Sequence, residues 1–177
     1  NIRSLPQKGL RKEISYVPQK AWLFSGTIKE NLAQGKETAG EEEMFHALKT
    51  AQADFVKNLP QGLETKVAQG GTNFSGGQKQ RLCIARALMK KTGLYVFDDS
   101  FSALDFKTDK ALREALKEET KEAAVLIIAQ RISTILHASQ IVVLDEGRIA
   151  DVGDHEYLME HCSVYRDIAR SQMKGEE

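Results

Sequence analysis

The sequence has few of the residues that form covalent or metal-bound cross-links. It contains two cysteines among 177 residues, and neither Cys83 nor Cys162 belongs to a C-x-x-C pair. The sequence therefore indicates no disulfide framework and no zinc site, and this use of cysteine fits a reducing environment. Apolar runs are also short. The longest, Ala123 to Ala129, has seven residues and is too short for a membrane-spanning helix.

An excess of charge of either sign is absent too. Lysine plus arginine number 25 and aspartate plus glutamate number 25, so the formal net charge is zero. A neutral chain argues against a nucleic-acid binder that works by bulk electrostatics and against a basic membrane-surface module. We therefore expect no nucleic-acid partner. The chain begins with Asn1 and shows no signal peptide, which we interpret as a segment of a longer protein.

Strand-like and helix-like segments alternate along the chain. Short apolar runs predict strands, and apolar residues three and four apart predict helices. The strands are expected at Ile14–Val17, Leu94–Phe97 and Val125–Ala129, and the helices at Glu41–Ala53, from Ser75 onward, and at about Lys107–Glu119. This order predicts an α/β domain with a parallel sheet. Because the third run is nearly all apolar, it predicts a strand that is buried on both faces.

The last third of the chain has its own pattern. Two short apolar runs, Ile141–Leu144 and Arg148–Ala150, flank a turn at Asp145–Gly147 and predict a hairpin. Asp154 is a candidate N-cap for one final helix that runs to about Ser171.

The first candidate site residues are two carboxylates that follow an apolar strand. Leu94–Phe97 leads directly into Asp98 and Asp99. In a parallel α/β sheet, ligands bind at the carboxyl ends of the strands, so Asp98 is placed to meet a metal–phosphate group. Taken alone, the same pattern also fits a strand that simply leaves the core.

A second candidate is a glycine-rich helix start. Ser75, Gly76 and Gly77 precede the helical residues Gln78 to Arg81. Two glycines at a helix start expose backbone N–H groups with no side chain in the way, and the helix dipole adds partial positive charge. Such an element is suited to a phosphate group.

Together these segments resemble the nucleotide-binding domain of ABC transporters. Phe74–Gln78 resembles the signature motif, usually Leu-Ser-Gly-Gly-Gln, with Phe74 in place of leucine. Leu94–Asp98 resembles Walker B, Ser102–Asp105 resembles the D-loop, and Gln19 matches the Q-loop glutamine. Residues 21–31 are similar to exporter-type domains with fused membrane helices. The resemblance extends from Asn1 to about Gln172.

The resemblance implies a fold and a division of the chain. The fold is a P-loop NTPase (RecA-like) core, α/β with a parallel sheet, an inserted α-helical subdomain and an incomplete N-terminus. Residues 1–19 and 93–177 would form the core, and residues 20–92 the helical subdomain with the signature motif.

The resemblance also implies ligands and partners. ATP and Mg²⁺ are the expected cofactors, with Asp98 and Gln19 at the metal. The expected ATP contacts are Gln19, Phe74, Ser75, Gly76, Gly77, Gln78 and Asp105. ATP would lie between this domain and a second ABC nucleotide-binding domain. A fused or associated transmembrane domain would place the chain at the cytoplasmic face of the cell membrane.

Two positions depart from the family pattern. Asp99 stands where the family has its catalytic glutamate, and Gln130 stands where it has the switch histidine. Aspartate is one methylene shorter, and a misplacement of about 1 Å can lower a rate on the order of 100-fold. Glutamine cannot carry the charge of an imidazolium. In both respects the chain resembles the degenerate half of a heterodimeric bacterial multidrug exporter.

The Walker A pattern, Gly-x-x-x-x-Gly-Lys-Ser/Thr, does not occur in the 177 residues. In the family this loop lies upstream of the Q-loop, so we expect it before Asn1. We expect the chain alone to bind ATP weakly or not at all and to be inactive. Three alternatives remain open. They are a homodimeric ABC exporter domain, a soluble ABC ATPase without a membrane domain, and a catalytically silent interaction module.

Overall fold

The structure, a computed structural model, describes residues 2–173. The chain divides after Ile128 into two compact units. Seven strands and eight α-helices lie in the described residues. The strands are β1 (Ile14–Val17), β2 (Gly26–Thr27), β3 (Lys66–Val67), β4 (Leu94–Asp98), β5 (Ala124–Ile128), β6 (Ile141–Asp145) and β7 (Arg148–Gly153). The helices are α1 (Gln7–Lys12), α2 (Ile28–Ala33), α3 (Glu41–Thr50), α4 (Gly76–Leu88), α5 (Phe106–Glu119), α6 (Ile132–Ile135), α7 (His155–His161) and α8 (Ser163–Met173).

The first unit contains a three-stranded parallel sheet in the order β1-β4-β5. Its register places Val17 opposite Phe97 and Asp98 opposite Ile128, so the carboxyl ends of the three strands share one edge. Phe97 and Tyr95 of the central strand are buried in the core together with α4 and α5 residues. The predicted parallel sheet with helices is therefore confirmed. A second, antiparallel pair joins β2 to β3.

The burial predicted for β5 is wrong. Val125 is 41% exposed, Leu126 51% and Ile128 48%. β5 is an edge strand: it pairs with β4, and no other strand of residues 2–173 pairs with its second edge. Its side chains therefore lack the lateral neighbours that a further strand would place beside them on both faces. An all-apolar strand pattern reports the chemistry of the side chains but not which neighbours cover them.

Two helices in the first unit begin after capping residues. Ser75, where the sequence predicts the start of a helix, caps α4, and Asp105 caps α5. The predicted helix at Glu41–Ala53 ends earlier, at Thr50, because Gln52 adopts a left-handed backbone with φ of 57°. This backbone angle is incompatible with continuing a right-handed helix.

The second unit contains the predicted hairpin, β6 paired antiparallel to β7. Its turn places Glu146 and Gly147 at positive φ, 45° and 76°, as a tight two-residue hairpin turn requires. Asp154 caps the next helix as predicted, by accepting a hydrogen bond from Tyr157 N at 2.8 Å. The prediction of a single final helix is wrong. The chain forms two helices, α7 and α8, because Cys162 between them has an extended backbone.

Among residues 2–173, none of the helices combines the length and the apolar composition that crossing a membrane takes.

Candidate functional site

Asp98 lies at the shared carboxyl edge of the parallel sheet, as predicted. It is the last residue of β4, and its Oδ2 accepts a hydrogen bond of 2.8 Å from Tyr16 Oη on the neighbouring strand. This hydrogen bond, together with partial desolvation and the carboxylate charge, raises the pKa of Tyr16 above its ordinary value of 10.0. The phenol therefore stays protonated and holds the Asp98 carboxylate in one orientation.

Asp99 follows directly and leaves the strand in a left-handed conformation, with φ of 44°. Aspartate tolerates this region better than most residues because its short side chain can hydrogen-bond locally. The Asp99 backbone N donates to Ile128 O at 2.8 Å, and its Oδ2 accepts from Gln19 Nε2 at 3.1 Å. The structure thus brings Gln19, Asp98 and Asp99 to one place.

Ser100 links the carboxyl ends of β1 and β4. It is fully buried, and its Oγ lies 3.0 Å from Val17 O and 3.2 Å from Asp98 O. One hydroxyl hydrogen therefore serves the ends of both β1 and β4. Because Val17 stands two residues before Gln19, the same contact also fixes the base of the loop that carries Gln19.

The donor set at this edge fits Mg²⁺. Carboxylate and amide oxygens are hard ligands, and Mg²⁺ is usually held by one or two protein carboxylates plus phosphate oxygens and water. Asp98, Asp99 and Gln19 supply such groups. Within residues 2–173 no cluster of three or more histidine, cysteine or acidic side chains forms a self-sufficient metal site. Two carboxylates and one amide suit a metal ion that is also bound by phosphate groups.

The glycine-rich helix start also has the predicted form. Ser75 and Gln78 form a capping box at α4: Gln78 N donates to Ser75 Oγ at 3.2 Å, and Ser75 N donates to Gln78 Oε1 at 3.0 Å. A Cβ built on Gly76 would meet nothing within 4 Å, so open space lies over the first turn. The open first turn of a 13-residue helix is a place that a phosphate group can approach.

Gly77 lies against the residues that directly precede Asp105. A Cβ on Gly77 would lie 3.3 Å from Ala103 O. Asp105 Oδ1 accepts from Thr108 N at 3.0 Å, and this hydrogen bond lowers the pKa of Asp105 below its ordinary value of 3.8. Burial lowers the pKa of Arg81, and the charge of Asp105 opposes that effect.

Phe74 directly precedes Ser75, and Gln130 is described within its own unit. Phe74 is half-buried against the core, and its ring packs on Phe55 with centroids 6.4 Å apart. Gln130 belongs to the second unit, where its backbone carbonyl accepts a hydrogen bond from Gln172 Nε2 at 2.7 Å. The sequence predictions for their chemical roles stay predictions.

Sequence reasoning missed Tyr16 and Ser100, which position the two candidate carboxylates. Tyr16 alternates with the buried residues Ser15 and Val17 along β1, and its 54% exposure follows from that alternation. A polar ring one residue before the end of β1 could have been matched to Asp98 at the end of β4, had the parallel register been known. Ser100 gave no signal, since serine after a strand is common in turns.

The structure has a close relative among solved proteins. A bacterial Atm1-family ABC exporter with ATP bound is similar with a TM-score of 0.94 and 38% identity, over 97% of this chain and 30% of that chain. Together with the parallel sheet, this likeness defines the class of the fold as the P-loop NTPase fold of ABC exporter nucleotide-binding domains. The family model described as "ABC transporter" matches residues 1–102. The chain belongs to the ABC transporter family.

Curated relatives support the same family membership. An uncharacterized ABC transporter ATP-binding protein of Mycobacterium tuberculosis (strain ATCC 25618 / H37Rv) is 44% identical over 176 residues, 97% of this chain and 30% of the relative. A protein of Bacillus subtilis (strain 168), provisionally named a multidrug export ATP-binding/permease protein, is 40% identical over 169 residues, 95% of this chain and 29% of the relative. The chain thus spans about 30% of the length of these relatives.

Proposed function

We propose that this chain binds ATP and supports its hydrolysis to power export of a substrate across the cell membrane, at the cytoplasmic face. Family membership and an ATP-bound exporter neighbour support the ATP part of the proposal. The relative named for multidrug export supports the transport part. A fused or associated transmembrane domain is the partner that transport requires.

The proposal assigns roles to residues described above. Asp98 and Gln19 would hold Mg²⁺, which supplies charge neutralisation at the phosphates when bound. Asp99 would orient the attacking water, and Gln130 would occupy the switch position. Phe74, Ser75, Gly76, Gly77, Gln78 and Asp105 would face ATP held by a second ABC nucleotide-binding domain. Residues 1–19 and 93–177 would serve as the core, and residues 20–92 as the helical subdomain.

We also propose that this chain is the catalytically weakened half of a heterodimer. The observation that carries this proposal is the Asp99 carboxylate, which is one methylene shorter than glutamate and is hydrogen-bonded to Gln19 at 3.1 Å. A shortened carboxylate places its oxygens farther from a water that a glutamate would reach, which lowers the rate of hydrolysis. A non-identical partner domain would then carry the faster site.

Mg-ATPase turnover tests both proposals. Because the 177 residues contain no Walker A pattern, we suggest a chimera in which the Walker A segment of an active ABC domain precedes this chain. Turnover is compared between the chimera and its double variant Asp99→Glu, Gln130→His. The matched control is Asp167→Glu, Gln140→His, which makes the same chemical changes at exposed positions of the second unit.

A weakened site predicts slow turnover of the chimera and turnover faster by about 100-fold in the double variant, a barrier change of about 2.7 kcal/mol. The control is expected to match the unchanged chimera. Equal and substantial rates in all three proteins would contradict the weakened half and favour a homodimeric exporter domain. Absence of ATP binding in all three would contradict the ATPase proposal itself.

A further inference from the structure

Tyr16 contacts a candidate metal ligand but has no role in the proposed ATPase function. In the register of the sheet, Tyr16 lies opposite Val96. Because side chains alternate along a strand, Val96 and Asp98 point to the same face of β4. Tyr16 therefore reaches Asp98 as its diagonal neighbour across the two strands, and its Oη donates to Asp98 Oδ2 at 2.8 Å.

The Tyr16 ring is not part of the hydrophobic core. The residue is 54% exposed, whereas Ser15 and Val17 on either side of it are buried. Core packing therefore does not account for a tyrosine at this position, and the specific contact of the side chain is the hydrogen bond to Asp98. Removal of the hydroxyl should leave the sheet intact, because exposed side chains contribute little to the core.

Hydrogen bonds restrict the movement of both candidate carboxylates. Tyr16 Oη holds the Asp98 side chain, and Ser100 Oγ lies 3.2 Å from the Asp98 backbone O. Gln19 Nε2 donates to Asp99 Oδ2 at 3.1 Å. One oxygen of each carboxylate is thus engaged by a donor from β1 or from the loop that follows β1. Asp98 is held at its backbone and at its side chain, so its carboxylate cannot turn freely.

Rigid carboxylates in small number discriminate between the two common divalent cations. Ca²⁺ takes about 6–8 oxygen ligands in a flexible geometry and often uses both oxygens of a carboxylate, whereas Mg²⁺ keeps several waters and needs only one or two carboxylates. Coordination of one ion by both oxygens of Asp98 competes with the hydrogen bond that Oδ2 accepts. Within residues 2–173, no further acidic, histidine or cysteine side chain joins Asp98 and Asp99 in a metal-binding group. The arrangement therefore suits Mg²⁺ better than Ca²⁺.

We propose that Tyr16 is a specificity-determining residue that makes the Asp98 site prefer Mg²⁺ to Ca²⁺. The Tyr16 hydroxyl engages Asp98 Oδ2 and fixes the carboxylate. A cation that depends on both carboxylate oxygens therefore loses affinity relative to one that needs a single oxygen. This inference rests on the proposed ATPase function, and it adds to that function a structural basis for metal selectivity.

The ratio of the affinities for the two ions tests the proposal without a measurement of turnover. The Walker A chimera, which contains all 177 residues of the chain, is mixed with a fluorescent N-methylanthraniloyl analogue of ATP at a fixed concentration. Fluorescence of the bound analogue is followed while free Mg²⁺ or free Ca²⁺ is raised, each set by a metal buffer. The half-saturating concentrations of the two ions are then compared between variants.

Tyr16→Phe removes only the hydroxyl. The half-saturating concentration of Ca²⁺ should fall, and its ratio to that of Mg²⁺ should decrease about tenfold, because a hydrogen bond to a charged group is lost. Tyr16→Val removes the ring as well and should shift the ratio in the same direction. Valine suits a strand position, so this second variant keeps the test decisive should Tyr16→Phe fail to fold.

The control Tyr157→Phe makes the same chemical change at a 44% exposed tyrosine of the second unit and should leave the ratio unchanged. An unchanged ratio in both Tyr16 variants, with metal-dependent binding of the analogue intact, would contradict this inference and leave the ATPase proposal standing. An equal shift in the control would also contradict it, because the effect would not depend on Asp98. Binding that responds to neither ion in the unchanged chimera would contradict both proposals.

Discussion

Gln19 Nε2 donates a hydrogen bond of 3.1 Å to Asp99 Oδ2, although 80 positions separate the two residues in the sequence. The resemblance described above predicts that Asp99 stands at the position of the family's catalytic glutamate. The shorter carboxylate is therefore not simply withdrawn from the site. It is held by an amide from the loop after β1, so its position depends on that loop.

A Gln19→Ala variant tests this dependence. Gln19 is exposed and Asp99 is half-buried, so the free energy of unfolding should change by less than about 1 kcal/mol. In the Walker A chimera, turnover should fall at least about tenfold, because Asp99 loses its hydrogen-bond partner and the proposed Mg²⁺ site loses the Gln19 amide. Gln61→Ala, an exposed glutamine far along the chain, serves as the control. A loss of stability matching the loss of rate would instead indicate a structural role for Gln19.

Ser75→Ala should destabilise the chain by about 1 kcal/mol, because α4 loses the oxygen that accepts from Gln78 N. Urea unfolding measures the effect. Ser139→Ala, at an exposed serine in the second unit, is the control and should change little. An equal effect in the two variants would show that the capping box contributes nothing.

The lowered pKa of Glu119 predicts that the stability of the fold depends on pH. Burial raises its pKa, but hydrogen bonds from Lys91 and His46 and their charges outweigh burial, so the pKa lies below its ordinary value of 4.5. A pKa that is lower in the folded state than in the unfolded state stabilises the fold above about pH 4.5. This stabilisation is lost as the pH falls through the folded value.

Comparison of the wild type with Glu119→Gln measures this contribution. Lys91 and His46 are 65% and 62% exposed, so the difference at pH 6 should be no more than about 1 kcal/mol. It should shrink by pH 3.5. Glu118→Gln, the exposed neighbour on α5, should show neither effect. A difference that stays constant between pH 6 and pH 3.5 would contradict the role given to the charge.

Leu126→Ala and Leu112→Ala make the same change in two environments. Leu126 on β5 is 51% exposed, whereas Leu112 on α5 is fully buried. Leu112→Ala should cost about 2–5 kcal/mol of stability, and Leu126→Ala less than about 1 kcal/mol. Similar losses would mean that β5 is covered on both faces after all.

The structural features that the sequence predicts correctly are those determined by residues a few positions apart. Ile14–Val17 and the Ser75 cap were predicted at the right residues, because side-chain alternation and capping chemistry act within a few positions. The same holds for the turn between β6 and β7. The placement of Gln19 and Asp98 at one metal site came from the resemblance to the ABC family, and it stays a prediction.

The features that the sequence analysis predicted wrongly or missed are determined by residues that are distant in the sequence. Whether β5 is covered is decided by strand pairing, and the break at Cys162 is decided by how α7 and α8 pack in the second unit. The buried hydroxyl of Ser100 and the phenol of Tyr16 likewise gain their roles only when β1 and β4 are aligned. No local pattern encodes such an alignment.

The Ser100 hydroxyl has a mechanical consequence. It joins the ends of β1 and β4 at a point shielded from water, two residues before Gln19 and two after Asp98. Because this hydroxyl links both strand ends, we expect the backbone before Gln19 and the backbone after Asp98 to move together, which would keep the hydrogen bond between Gln19 and Asp99 intact when this edge of the sheet shifts.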